Sequence, residues 1–143
     1  MKVLPATLAA LTLTLTATAQ ANDPLISVTD PSALTWQQVE GTAGAVSYAN
    51  VEGDLFGKGP YSAYVKFAKG TDNGPHTHTQ ALPTVVLQGT FYAVIDGKRM
   101  EYPAGSYYHL PAKLEHESGC TATADCLLFQ YQGDAFDLVP SKG

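Results

Sequence analysis

His76 and His78 stand one residue apart in the stretch GPHTHTQALPTVVLQG, residues 74 to 89. On an extended strand, side chains at i and i+2 point to the same face, so the two imidazoles project side by side into one environment. That pairing suits a shared cation, and it suits equally two imidazoles on a polar strand face. A metal site needs a third ligand, and the remaining histidines are His109 and His116. Three neutral imidazoles favour a divalent transition metal over Mg or Ca, which prefer oxygen. Fe(II) or Zn(II) is the expected ion, with Mn, Ni, Cu and Co compatible. Three protein ligands also leave coordination positions for water or substrate, the mark of a reactive rather than a closed site. Gln80 shares strand parity with both histidines and offers an amide oxygen as a weak fourth donor, against its plainer reading as a solvent-facing polar residue.

The elements that must position these residues read as strands. Past residue 21, Gly, Pro, Asn or Asp cuts the chain every six to twelve residues, and the pieces between are rich in Val, Tyr, Phe, Leu and Thr. This spacing signals an all-β sandwich or barrel. Strands are predicted over residues 45–51, 61–69, 76–80, 84–88, 90–96, 98–104, 106–112, 114–120 and 126–132. Asp96-Gly97 predicts a two-residue hairpin, because a type I′ turn needs positive φ at both positions. In YSAYVKFAK, Tyr64, Lys66 and Ala68 share one face while Val65 and Phe67 share the other, as in a strand between solvent and core. Past residue 21, no ten-residue window shows a helical apolar period, and SALTWQQV (32–39) predicts at most one helical turn.

The first residues, MKVLPATLAALTLTLTATAQA, combine Lys2, a short uncharged stretch and the small-x-small pattern Ala19-Gln20-Ala21. They predict a cleaved signal peptide over 1–21, hence a periplasmic or secreted domain over 22–143. The apolar part is too short and too rich in threonine to span a bilayer of roughly 30 Å as a helix. Eight basic residues face 13 acidic ones for a net charge of −5, and the basic residues are scattered. Nucleic-acid binding needs them clustered, so neither nucleic acid nor membrane is an expected partner. Cys120 and Cys126 flank TATAD. In an exported chain such a pair is expected to form a disulfide, the alternative being two buried thiols on neighbouring strands, and the absence of C-x-x-C spacing argues against a redox pair. Ser106 lacks a G-x-S-x-G context and no phosphate-binding glycine loop is present, which argues against a serine hydrolase or a nucleotide-binding protein. Tyr92, Tyr107, Tyr108 and Tyr131 are read as core-filling aromatics, and His109 as packed or exposed.

Two motifs resemble those of the cupins. The first, G-x5-H-x-H-x3or4-E-x6-G, matches at Gly70, His76, His78 and Gly89; the second, G-x5-P-x-G-x2-H-x3-N, matches at Gly105, Pro111 and His116. The wider pattern resembles a branch of short, single-domain, ChrR-like cupins over roughly 34–140. The resemblance implies a single-domain RmlC-like jelly roll in which His116 joins His76 and His78 as the third metal ligand. It also implies a homodimer. The chain departs from the motifs in three places. Leu82 or Pro83 stands where the family carries its glutamate ligand, Lys113 replaces a glycine, and Cys120 replaces the asparagine. Cupins with three histidines and no glutamate include non-haem iron dioxygenases such as cysteine dioxygenase; lyase and isomerase chemistry is equally open to such a centre. The expected functions are therefore a small-molecule metalloenzyme, a metal-dependent binding or sensing module, or a structural barrel with vestigial histidines.

Overall fold

Short β-branched and aromatic runs punctuated by glycine fold as an all-β jelly roll. The computed structural model describes residues 24–141, so the predicted leader lies outside the described residues. In chain order the strands are β1 (Gln37–Gln38), β2 (Val46–Glu52), β3 (Tyr61–Phe67), β4 (His76–Thr77), β5 (Leu82–Gln88) and β6 (Thr90–Ile95). They continue with β7 (Lys98–Pro103), β8 (Tyr107–Leu110), β9 (Glu117–Cys120), β10 (Cys126–Gln132) and β11 (Val139–Pro140). One sheet has the order β1-β2-β3-β10-β5-β8, a second β7-β6-β9, and a pair β11-β4 lies apart from both. All pairings are antiparallel.

Local chemistry explains the turns that set this order. Asp96 and Gly97 have φ of 50° and 72° between β6 and β7, the positive values the hairpin required. Gly89, with φ 75°, turns β5 into β6 at a point where an added Cβ would lie 2.5 Å from the Asp125 carbonyl oxygen. No other residue fits there. SALTWQQV behaves differently from expectation. A 3-10 turn covers Pro31–Ala33, capped by the Asp30 carboxylate accepting from the Ser32 amide, and Gln37–Gln38 then extend as an edge strand. Only the first two residues of the predicted 76–80 strand keep strand pairing, with β11 as their partner.

The core lies between the two larger sheets. Val46, Tyr48, Val65, Phe67, Val86 and Leu128 point inward from the six-stranded sheet, and Phe67 meets Phe91 of the three-stranded sheet with ring centroids 5.0 Å apart. Cys120 of β9 and Cys126 of β10 form the expected disulfide, joining the two sheets across a Cα separation of 5.8 Å. β10 reverses the reading of Tyr131 as a core residue. Gln130 and Gln132 are buried on the inner face, whereas Tyr131 is 53% exposed on the outer one. Tyr107, also read as core, is 62% exposed; Tyr92 and Tyr108 are buried as expected.

Candidate metal centre

His76 begins β4 and is bridged to His116 by a reciprocal backbone pair, His76 N to His116 O at 2.9 Å and His116 N to His76 O at 3.0 Å. Directly opposed residues of an antiparallel pair carry side chains on the same face. One exchange of hydrogen bonds thus brings together histidines from the two motifs. His78 joins them from two residues on, and its carbonyl accepts the Lys113 amide at 2.8 Å. Lys113 has φ 62°, so the lysine holds the left-handed conformation for which the cupin motif uses glycine. The loop shape survives the substitution, at a cost of about 1 kcal/mol.

All three rings are oriented by main-chain carbonyls. Nδ1 of His76 donates to the Gly74 carbonyl at 2.8 Å, Nδ1 of His116 to that of Leu114 at 3.0 Å, and Nδ1 of His78 to that of Asp137 at 2.5 Å. A carbonyl can only accept, so each Nδ1 carries the proton and each Nε2 presents a lone pair. Asp137 is itself fixed, its carboxylate accepting from the Thr79 amide at 2.8 Å and from the Thr79 hydroxyl. Ring centroids lie 4.2 Å (His76–His116), 4.9 Å (His76–His78) and 5.3 Å (His78–His116) apart.

The three residues are 0%, 4% and 3% exposed for His76, His78 and His116, and the Nε2 atoms of His76 and His116 are buried with no hydrogen-bond partner. Leaving a buried polar atom unpaired costs about 1–3 kcal/mol, so two together need an explanation. A cation bound between them would supply it. The potential ligand atoms of the trio all lie within 4.8 Å of one another. In tetrahedral or octahedral geometry, imidazole–metal bonds of about 2.1 Å hold neighbouring nitrogens roughly 3.0–3.4 Å apart, so shifts of no more than about 1 Å at each ring close the set around one ion. Burial lowers all three basicities. That of His76 falls from 6.5 to about 4, the Gly74 carbonyl opposing the shift and the neighbouring imidazoles adding to it. His78 and His116 move the same way for the same first cause. The trio is therefore neutral near pH 7, the form that binds metal.

His78 also lines a cavity of about 720 Å³ between the sheets, walled mainly by apolar side chains such as Val65, Phe67, Phe91 and Leu110. Leu82 sits in the same wall, 3% exposed, at the position where the motif would place a carboxylate. Gln80, considered as a weak fourth donor, is exposed rather than buried with the imidazoles, and its carbonyl lies 3.5 Å from Gln132 Nε2. His109 is exposed too, on the outer side of β8. Among the described residues the three histidines are the only group of His, Cys, Asp or Glu gathered closely enough to hold an ion. At the cavity rim the Tyr92 hydroxyl donates to Asp72 at 2.6 Å, and burial together with that carboxylate pushes the phenol up to about 12. Residue spacing did not identify Asp137, since it acts on His78 through its backbone, a role that no side-chain type signals.

The model of the ChrR Cupin-like domain matches residues 26–135. No curated protein matches the chain by sequence. Among solved structures, the polyketide cyclase RemF from Streptomyces resistomycificus superposes with a TM-score of 0.68 at 12% identity, over 83% of this chain and 87% of that one. An RmlC-like cupin from Shewanella frigidimarina gives 0.59 at 17% identity over 78% and 92%. A structure of the DMSP lyases RdDddP and RnDddQII gives 0.59 at 14% identity over 76% and 63%. At these identities the likeness is one of fold.

Proposed function

This chain belongs to the ChrR cupin-like family, and from that premise we propose that it is an exported metalloenzyme acting on a small oxygen-bearing organic molecule at a centre formed by His76, His78 and His116. The observation that carries this reading is the pair of buried, unpartnered Nε2 atoms, each on a ring whose other nitrogen is already committed to a carbonyl. Such orientation through the far ring nitrogen is the usual second support of a metal-binding histidine. A divalent ion, Fe(II) or Zn(II), held by three neutral imidazoles keeps its full double charge and supplies a strong Lewis acid for a dioxygenase-, lyase- or isomerase-type reaction. The chain's own contributions are distinct. The carbonyls of Gly74, Leu114 and Asp137 orient the rings, Leu82 puts an apolar side chain where the motif has a carboxylate, and the apolar cavity beside His78 excludes water from the bound molecule. Likeness of fold to a cyclase and a lyase is compatible with this but selects no reaction, because one fold hosts many chemistries. The Cys120–Cys126 bridge supports export to a periplasmic or extracellular space, where disulfides persist.

The test is metal analysis of protein purified from the exported fraction. Wild type is expected to carry about one transition-metal ion per chain, and His76→Ala and His116→Ala to carry close to none. Unchanged metal content in both variants overturns the site. Oxygen uptake or product formation by the Fe(II)-loaded protein, across diketones, thiols and hydroxy acids, then separates turnover from capture. A metal-loaded protein that binds these molecules without converting any of them is a binding or sensing module.

A further inference from the structure

Two glutamines point inward from the middle of the six-stranded sheet, and their surroundings differ. Gln132 is fully engaged: its Oε1 accepts the Tyr61 hydroxyl at 2.7 Å and its Nε2 lies 3.3 Å from the Ala81 carbonyl. Gln130 is 5% exposed and has a single protein contact, from Nε2 to Thr84 Oγ1 at 3.3 Å. Its Oε1 makes no hydrogen bond within the protein and, unlike the Nε2 atoms of His76 and His116, is not sealed from solvent; the residue lines the same cavity as His78. The strand that carries it, β10, is hydrogen-bonded on both edges, with Ala63 and Thr84 opposite Gln130, so the backbone beneath the amide is among the best fixed in the molecule. Leu128, its inward neighbour two residues away, is fully buried, and an apolar residue would fit the pattern at 130 as well. Water can satisfy that carbonyl in the open cavity, so a molecule that displaces the water binds well only if it brings a donor of its own.

We propose that Gln130 is the specificity-determining residue of this cavity, and that the bound molecule is mainly apolar and carries a hydroxyl group that donates to Gln130 Oε1. The proposal deepens the metalloenzyme reading and rests on it for the cavity's role as ligand site. The aromatic rings of Phe67, Phe91 and Tyr108 in the wall suit a flat carbon skeleton, and about 720 Å³ accommodates one of small-molecule size. Such a wall binds the skeleton with little discrimination. A polar group buried in it rejects molecules that leave it unpaired.

The experiment compares 2-naphthol with naphthalene, titrated into zinc-loaded protein lacking residues 1–21, for wild type, Gln130→Met and Gln130→Leu. Wild type is expected to bind the naphthol about tenfold more tightly, the worth of one buried hydrogen bond. Both variants are expected to bind the two probes equally, and naphthalene at least as well as wild type does. Retained naphthalene binding also shows that the cavity of each variant is intact, and Gln130→Met keeps the side-chain length should the branched leucine disturb packing. Absence of a naphthol preference in wild type, or its persistence in both variants, overturns the proposal. Zinc content read on the same samples separates the two readings. A Gln130-dependent preference in protein that holds no zinc sustains this inference and removes the metal site. One zinc per chain with no hydroxyl preference does the reverse.

Discussion

The six-stranded sheet and the histidine corner hold their residues in place by different means. In the sheet, strands of up to seven residues pair along their length, and burial of side chains such as Leu128 and Val86, both fully inaccessible, fixes their positions. At the corner the paired segments are two residues long, and one isolated bridge joins His76 to His116. What burial does for the sheet, single hydrogen bonds do for the corner, with one carbonyl for each imidazole and the Lys113 amide on the His78 carbonyl. The difference teaches that the site's geometry can be lost without unfolding the protein, and that the fold can be weakened without moving the ligands.

The largest effect that could break this separation comes from the sheet. Leu128→Ala should cost about 3 kcal/mol by denaturant unfolding, since it leaves a cavity in a fully packed interior, yet metal stoichiometry at low denaturant should stay at that of wild type. Parallel loss of metal would show the two regions to be one unit. Next in size, Cys120→Ser with Cys126→Ser removes a bridge over a short loop and should lower stability by about 2 kcal/mol. Because Cys120 ends the strand that begins just after His116, the ratio of lost metal affinity to lost stability in this variant measures how far the sheets support the corner. The smallest effect sharpens the picture from the other side. Lys113→Gly relieves a left-handed lysine and should raise stability by up to about 1 kcal/mol, leaving metal content unchanged.

Much of the fold was legible because its punctuation is chemical. The Asp96-Gly97 hairpin, the breaks at Gly70, Gly89 and Gly105, and the alternation in β3 all mark places where one backbone conformation is far cheaper than its rivals. The ligand trio was legible through the resemblance to the two cupin motifs, which implies His116 as the third ligand, whereas the residues alone left both His109 and His116 as candidates. What alternation could not say is which face is the core. In CLLFQYQ, Tyr131 was read as core, and the structure sends Leu128, Gln130 and Gln132 inward instead. A slip of one residue exchanges every side chain between faces, and only the register with β3 and β5 decides it. β1 and β11 were missed because two residues carry no periodicity, and β11 ends on a proline that donates nothing to a ladder. The helical turn predicted within 32–39 was displaced toward Pro31, whose fixed φ suits the first position of a turn.

The reciprocal amide bonds between His76 and His116, with that of Lys113 to His78, also govern how often the corner opens. Their protons can trade with heavy water only when bonds joining both motifs part together. Exchange at these three amides therefore times the opening of the whole corner, and a bound ion, by tying the same residues through their side chains, lengthens the interval between openings.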